Sequence, residues 1–83
     1  MNAKSVGALI AKLRKKQGLT QLDLAQKLNV SDKTISRWES GAGFPEVIQF
    51  PMLADIFGIT VDYLMTGQRK GIAVAGNILV DIV

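Results

Sequence analysis

The chain contains no cysteine and no histidine. These absences exclude disulfide bonds, zinc sites built from Cys and His, and catalytic dyads or triads that need a thiol or an imidazole. Aromatic residues make up only 6% of the 83 residues, so a core has to be built mainly from Leu, Ile, Val and Ala, within a hydrophobic content of 48%. We therefore expect one small domain with no metal, no cofactor and no enzyme activity.

Long hydrophobic runs are also missing. Basic residues at positions 12, 14, 15 and 16 interrupt the first apolar stretch, so there is no apolar core of a signal peptide. The longest late uncharged stretch, Gly71 to Val80, is too short to cross a bilayer, which takes about 20 apolar residues. The sequence predicts a cytoplasmic protein that does not enter a membrane.

Positive charge is concentrated in the first half of the chain. The formal net charge is +3, but residues 1–40 carry a net +5 and residues 41–83 a net −2. A basic half indicates contact with a polyanion such as nucleic acid, or with an anionic surface. The alternative is a set of solvated helix faces, and charge alone does not separate the two.

Capping residues and apolar spacing predict three helices in the first half. Apolar residues at 6, 9, 10 and 13 indicate an amphipathic helix from about Ser5 to Gln17. Thr20 is a good N-cap for a second helix that ends near Leu28, with Asp23 completing a capping box. Asn29 suits a left-handed turn, and Ser31 can cap a third helix over residues 32–40.

Two shorter helices complete the predicted fold. The fourth starts near Val47 or Ile48, so that Pro51 falls within its first turn. Its predicted apolar stripe consists of Val47, Phe50, Leu53, Ala54 and Phe57. Thr60 caps a fifth helix from Val61 to Met65. The fold class is therefore all-α, a compact bundle of five helices.

The segment from Gln21 to Ser40 has the pattern of two helices joined by a tight turn. Ala25 is the small residue that lets the helices approach, while Val30, Ile35 and Trp38 close a small core. From about Val6 to Gly67 the chain resembles the Cro/C1-type, or Xre, helix-turn-helix family of bacterial and phage repressors. The resemblance implies a lambda-repressor-like fold and a sequence-specific DNA-binding transcriptional regulator.

The resemblance also implies a mode of binding. The third helix, about residues 32–40, would lie in the major groove of double-stranded DNA, and a homodimer would bind a pseudo-palindromic operator. The residues that match base-contacting positions are Asp32, Lys33, Ser36 and Arg37. The candidates for phosphate contacts are Gln21, Ser31, Thr34 and Ser40.

Other matched positions are structural. Arg14 and Glu39 correspond to residues that, by resemblance, form a salt bridge between the first and third helices. Trp38 shares its helical phase with Ile35, which favours a place in the core over a base-stacking role. Leu22 departs from the family pattern, which has a polar residue there, and is either an exposed apolar residue or part of a partner surface.

The last residues follow a different pattern. Residues 1–67 are predicted to form the helix-turn-helix domain and 68–71 a linker, and 72–83 form a strand-like tail rich in Val and Ile. The tail resembles the first strand of ribokinase-like (PfkB) carbohydrate kinases, with Gly76, Asn77 and Asp81 at the matching positions. It is therefore interpreted as the start of a downstream domain of a bifunctional regulator. The alternatives are a dimerisation strand or, as in an antitoxin, a strand that binds a partner protein.

Overall fold

The first helix begins at an asparagine cap. In the computed structural model, which describes residues 2–67, α1 spans Ala3–Lys16. The Asn2 side chain accepts a hydrogen bond from the backbone N–H of Ser5 at 2.8 Å. The helix therefore starts two residues before the predicted Ser5, because Asn2 satisfies an N–H group that the helix end leaves unpaired.

The helix-turn-helix segment has the predicted boundaries. Helix α2 spans Gln21–Leu28 and α3 spans Asp32–Ser40. Thr20 Oγ1 accepts from the backbone N–H of Asp23, and Asp23 Oδ2 accepts from the backbone N–H of Thr20, both at 2.9 Å. Asn29 adopts the left-handed conformation, with φ of 58°. These local hydrogen bonds and this turn set where both helices begin and end.

The start of the fourth helix differs from the prediction. Helix α4 spans Gln49–Phe57, and Pro51 is its third residue. Val47 and Ile48 lie in the turn before the helix and are 87% and 71% exposed, so Val47 is not part of the buried stripe. The Gln49 side chain accepts a hydrogen bond from the backbone N–H of Glu46 at 2.8 Å. This hydrogen bond closes the turn over residues 46–49, and the regular helix begins at Gln49, one residue after the predicted Ile48.

Helix α5 spans Val61–Thr66 and starts at the predicted cap, Thr60. In the core, α3 packs against α1 and α2, while α5 packs against α4 and α1. The buried cluster consists of Val6, Ile10, Leu24, Ala25, Leu28, Ile35, Trp38, Phe50, Leu53, Phe57 and Leu64. All regular structure in residues 2–67 is helical, which confirms the all-α fold class. The predicted linker and tail lie outside the described residues.

No helix within residues 2–67 has the combination of length and apolar character that crossing a bilayer requires.

Candidate nucleic-acid interface

Helix α3 has one buried face and one exposed face. Ile35 is fully buried and Trp38 is 5% exposed, so this pair anchors the helix in the core. All four residues predicted to contact bases are exposed: Asp32, Lys33, Ser36 and Arg37. Helical periodicity places the last three opposite the buried pair, and Asp32 is exposed at the first position of the helix. The exposed face of α3 is therefore polar, carries two cations and one anion, and has a rigid apolar support.

The predicted phosphate-contacting hydroxyls on α3 lie at opposite ends of the helix. Ser31 and Thr34 are at its start, where Ser31 Oγ accepts from the backbone N–H of Thr34 at 3.2 Å and lies 3.0 Å from Thr34 Oγ1. Ser40 is the last residue of α3, and its hydroxyl donates to the carbonyl oxygen of Arg37 at 3.0 Å. Along the helix axis, Ser40 lies roughly 9 Å from Thr34 and roughly 13 Å from Ser31, at about 1.5 Å per residue.

A partly buried ion pair joins α1 to the end of α3. Arg14 Nε donates to Glu39 Oε2 at 2.7 Å, and Arg14 Nη2 donates to Glu39 Oε1 at 3.1 Å. The two side chains are only 10% and 8% exposed. These hydrogen bonds raise the pKa of Arg14 above its ordinary value. Partial burial lowers this pKa, and the negative charge of Glu39 raises it further. The guanidinium also donates to the carbonyl oxygen of Leu19 at 2.8 Å, which ties in the turn before α2.

Gln21 belongs to the same hydrogen-bonded group. Its side-chain Nε2 donates to Glu39 Oε1 at 3.0 Å, and the residue is half-buried at the start of α2. This bond joins Gln21, a predicted phosphate contact, to Glu39, which the family resemblance places in a salt bridge. Residues 21 and 39 are 18 positions apart, and no local pattern links them, so the sequence does not predict this contact.

Two small residues are buried where helices meet. Ala25 is fully buried on α2, within the core cluster. Gly7 of α1 lies against the backbone of Trp38 and Glu39, and a Cβ atom at this position would overlap the carbonyl oxygen of Trp38. Helical periodicity did not single out Gly7; its only signal in the sequence is a glycine inside a helical pattern, which can mark close packing.

Arg37 borders a groove between α3 and the segment that leads to α4. The groove is lined by Thr34, Arg37, Gly43, Phe44 and Glu46, among others. The Arg37 Nη2 atom lies 3.7 Å from the place where a Cβ on Gly43 would be. The guanidinium therefore rests beside the loop after α3 while remaining exposed at the edge of the outward face.

Within residues 2–67, no three His, Cys, Asp or Glu side chains come close enough together to hold a metal ion.

Known proteins are similar to this chain in sequence. A family model described as helix-turn-helix matches residues 10–64. The transcriptional activator BcrR of Enterococcus faecalis is 39% identical over 60 residues, which are 72% of this chain and 29% of that protein. The transcriptional regulator ImmR of Bacillus subtilis (strain 168) is 30% identical over 61 residues, which are 74% of this chain and 48% of that protein. The chain thus spans less than half the length of either curated relative.

A solved structure agrees with the fold. The P22 c2 repressor, crystallised with a synthetic operator, superposes with a TM-score of 0.72 at 30% identity, covering 76% of this chain and 96% of that one. The resemblance of the tail to carbohydrate kinases gains no support from the comparisons, and its residues lie outside those the structure describes. The match over residues 10–64 and the superposition together show that the chain belongs to the Cro/C1-type helix-turn-helix family.

Proposed function

We propose that this domain binds a specific double-stranded DNA sequence as part of a transcriptional regulator, with α3 in the major groove. The observation that carries the proposal is the two-sided character of α3. Ile35 and Trp38 fix one face in the core, so the opposite face is a rigid polar surface of the size that the groove admits.

Each residue on that face suits a base edge. Arg37 has the fork of N–H donors that pairs with O6 and N7 of guanine, and Lys33 can donate to guanine or to a phosphate. Asp32 can accept from N4 of cytosine, although as the first residue of α3 it also interacts favourably with the helix dipole. Ser36 can either donate or accept a hydrogen bond.

The four candidate phosphate contacts differ in how readily they could bind a phosphate. Gln21 lies at the start of α2, where backbone N–H groups and the helix dipole favour an anion. Ser31 and Thr34 are neighbours at the start of α3, where the same argument applies. Ser40 donates its only hydroxyl proton to the carbonyl of Arg37 and has to break that bond before it can donate to a phosphate.

The proposed functional unit is a homodimer on a pseudo-palindromic operator. In such dimers the two recognition helices enter half-sites about 34 Å apart, one turn of the DNA. The P22 c2 repressor, whose structure is similar, is bound to a synthetic operator. Because the similar proteins include both an activator and a repressor, the chemistry of the domain fits either sign of regulation.

Selection of bound duplexes from a random pool tests this proposal, with a two-fold symmetric motif as the expected result. On the selected duplex, Arg37→Ala should cost about 1–3 kcal/mol of binding and relax the preference at one base pair. Lys12→Ala is the matched control, because it removes one exposed positive charge from α1, a helix that carries none of the proposed DNA contacts. If Arg37→Ala and Lys12→Ala had the same effect, the outward face of α3 would not be the reading surface.

The antitoxin and sugar-kinase alternatives both depend on residues 72–83. Those residues lie outside the part of the chain that the structure describes, so both alternatives, and the division into domain, linker and tail, stay predictions.

A further inference from the structure

We propose that Glu39 is a positioning residue for DNA binding, because it holds the side-chain amide of Gln21 in the orientation that meets a phosphate. This inference rests on the proposed role of Gln21 as a phosphate contact. Glu39 itself contacts no DNA in this arrangement. It acts through Gln21.

The carboxylate of Glu39 has a fixed direction. The bidentate contact with Arg14 sets the plane of the carboxylate, and the Glu39 side chain is only 8% exposed, so little of it is open to solvent. Oε1 receives both Arg14 Nη2 at 3.1 Å and Gln21 Nε2 at 3.0 Å. The position of the Gln21 nitrogen is therefore determined by a group that is itself immobilised.

Fixing one N–H of Gln21 orients the whole amide. A glutamine amide is planar and carries two N–H donors, so one donor bound to Glu39 leaves the other with a defined direction. Gln21 is half-buried, so part of its surface remains open to solvent, and in the proposed complex the second donor meets the phosphate there. The side chain loses its rotational freedom when the protein folds, and binding to a phosphate does not carry that entropic penalty again.

The same group sets the register between two parts of the interface. Glu39 lies near the end of α3, Gln21 begins α2, and Arg14 reaches the Leu19 carbonyl in the turn between α1 and α2. Phosphate contacts place a protein on the duplex, and base contacts read the sequence. A rigid connection between Gln21 and α3 therefore holds the phosphate contact at a constant distance from the base-reading face.

The test replaces the ion pair without changing the net charge. The double variant Arg14→Met/Glu39→Met removes one positive and one negative side chain, and apolar residues of similar volume commonly preserve the stability of a buried pair. Gln21→Met is introduced into the wild type and into this double variant. Affinity for the selected duplex and for an unrelated duplex of equal length is then measured for all four proteins.

We expect Gln21→Met to weaken binding to both duplexes by about tenfold, the effect of one hydrogen bond to a charged group. The double variant should lose about the same factor, and adding Gln21→Met to it should change little. Equal losses from Gln21→Met in both backgrounds, or wild-type affinity in the double variant, would overturn the positioning role. So would a wild-type chain that binds its selected duplex but tolerates Gln21→Met. A wild-type chain that selects no DNA would instead overturn the proposed function itself.

A second measurement needs no variant. In the DNA-free wild-type chain, ¹⁵N relaxation of the Gln21 side-chain amide should give an order parameter near that of rigid backbone, about 0.85. An order parameter below about 0.6, typical of a flexible group, contradicts the proposal even if the double variant fails to fold.

Discussion

The carbonyl oxygen of Trp38 occupies the place where a Cβ atom on Gly7 would lie. Helix α1 therefore approaches α3 at the turn that carries both Trp38 and Glu39, and the absence of a side chain at position 7 permits this approach. The Arg14–Glu39 ion pair lies on the same pair of helices. The close packing and the ion pair thus act together to fix the end of the recognition helix.

Gly7→Ala should destabilise the domain by about 1–3 kcal/mol, the usual penalty for overpacking, because α1 has to move away from α3. Helix propensity alone predicts the opposite sign, since alanine is favoured over glycine by about 1 kcal/mol inside a helix. Urea denaturation measures the change. Ala8→Gly, at the exposed neighbouring position, is the control and should lose about 1 kcal/mol through propensity alone. A stabilised Gly7→Ala variant would show that the helices do not meet here.

Arg14→Met alone should cost about 3–5 kcal/mol, because it leaves the Glu39 carboxylate nearly buried without its cation. Arg14→Met/Glu39→Met should recover most of this loss, since no charge then remains without a partner. Thermal and urea unfolding of the single and double variants provide the comparison. If Arg14→Met and the double variant were equally stable, the Glu39 carboxylate would already be solvated by water.

The capping box at Thr20 makes stability depend on pH. The hydrogen bond from the Thr20 backbone N–H, followed by the one that involves the Thr20 side chain, lowers the pKa of Asp23 below its ordinary value of 3.8. A lowered folded-state pKa gives stability that is present above the unfolded pKa and lost as pH falls through the folded pKa. Unfolding free energy should therefore decrease between about pH 5 and pH 2, and less steeply in Asp23→Asn.

Asp55→Asn is the matched control for this pH series, because Asp55 is exposed on α4, outside the capping box. If unfolding free energy depended on pH in the same way in Asp23→Asn, Asp55→Asn and the wild type, Asp23 would not contribute to the acid sensitivity.

The left-handed turn between α2 and α3 gives a separate prediction. Asn29 has φ of 58° and is exposed. Asn29→Ala should cost about 1 kcal/mol, because a Cβ without a compensating local polar group is strained there. Asn29→Gly should leave stability within a few tenths of a kcal/mol, or raise it, because glycine adopts this conformation freely. The denaturation midpoint should be lower for Asn29→Ala than for Asn29→Gly. Equal midpoints would contradict the left-handed conformation of this turn.

Much of the fold could be predicted because its signals are local. Thr20, Asp23 and Ser31 lie within three residues of the backbone groups that they bind, so the residue types alone indicate where α2 and α3 begin. Asn29 likewise takes the left-handed turn by its own conformational preference. The predicted buried stripe of α4 was wrong at Val47, because apolar spacing includes this residue although it lies in the turn before the helix and is 87% exposed. The helix itself begins at Gln49, one residue after the predicted Ile48.

The sequence by itself determined the helices, the turn between α2 and α3, and the polar outward face of α3, since propensities, caps and periodicity act over a few residues. Only the tertiary structure decided that Gly7 touches the backbone of Trp38, and that Glu39 binds Gln21 in addition to its expected partner Arg14. These contacts join residues 18 or more positions apart, and their geometry exists only after the helices have packed.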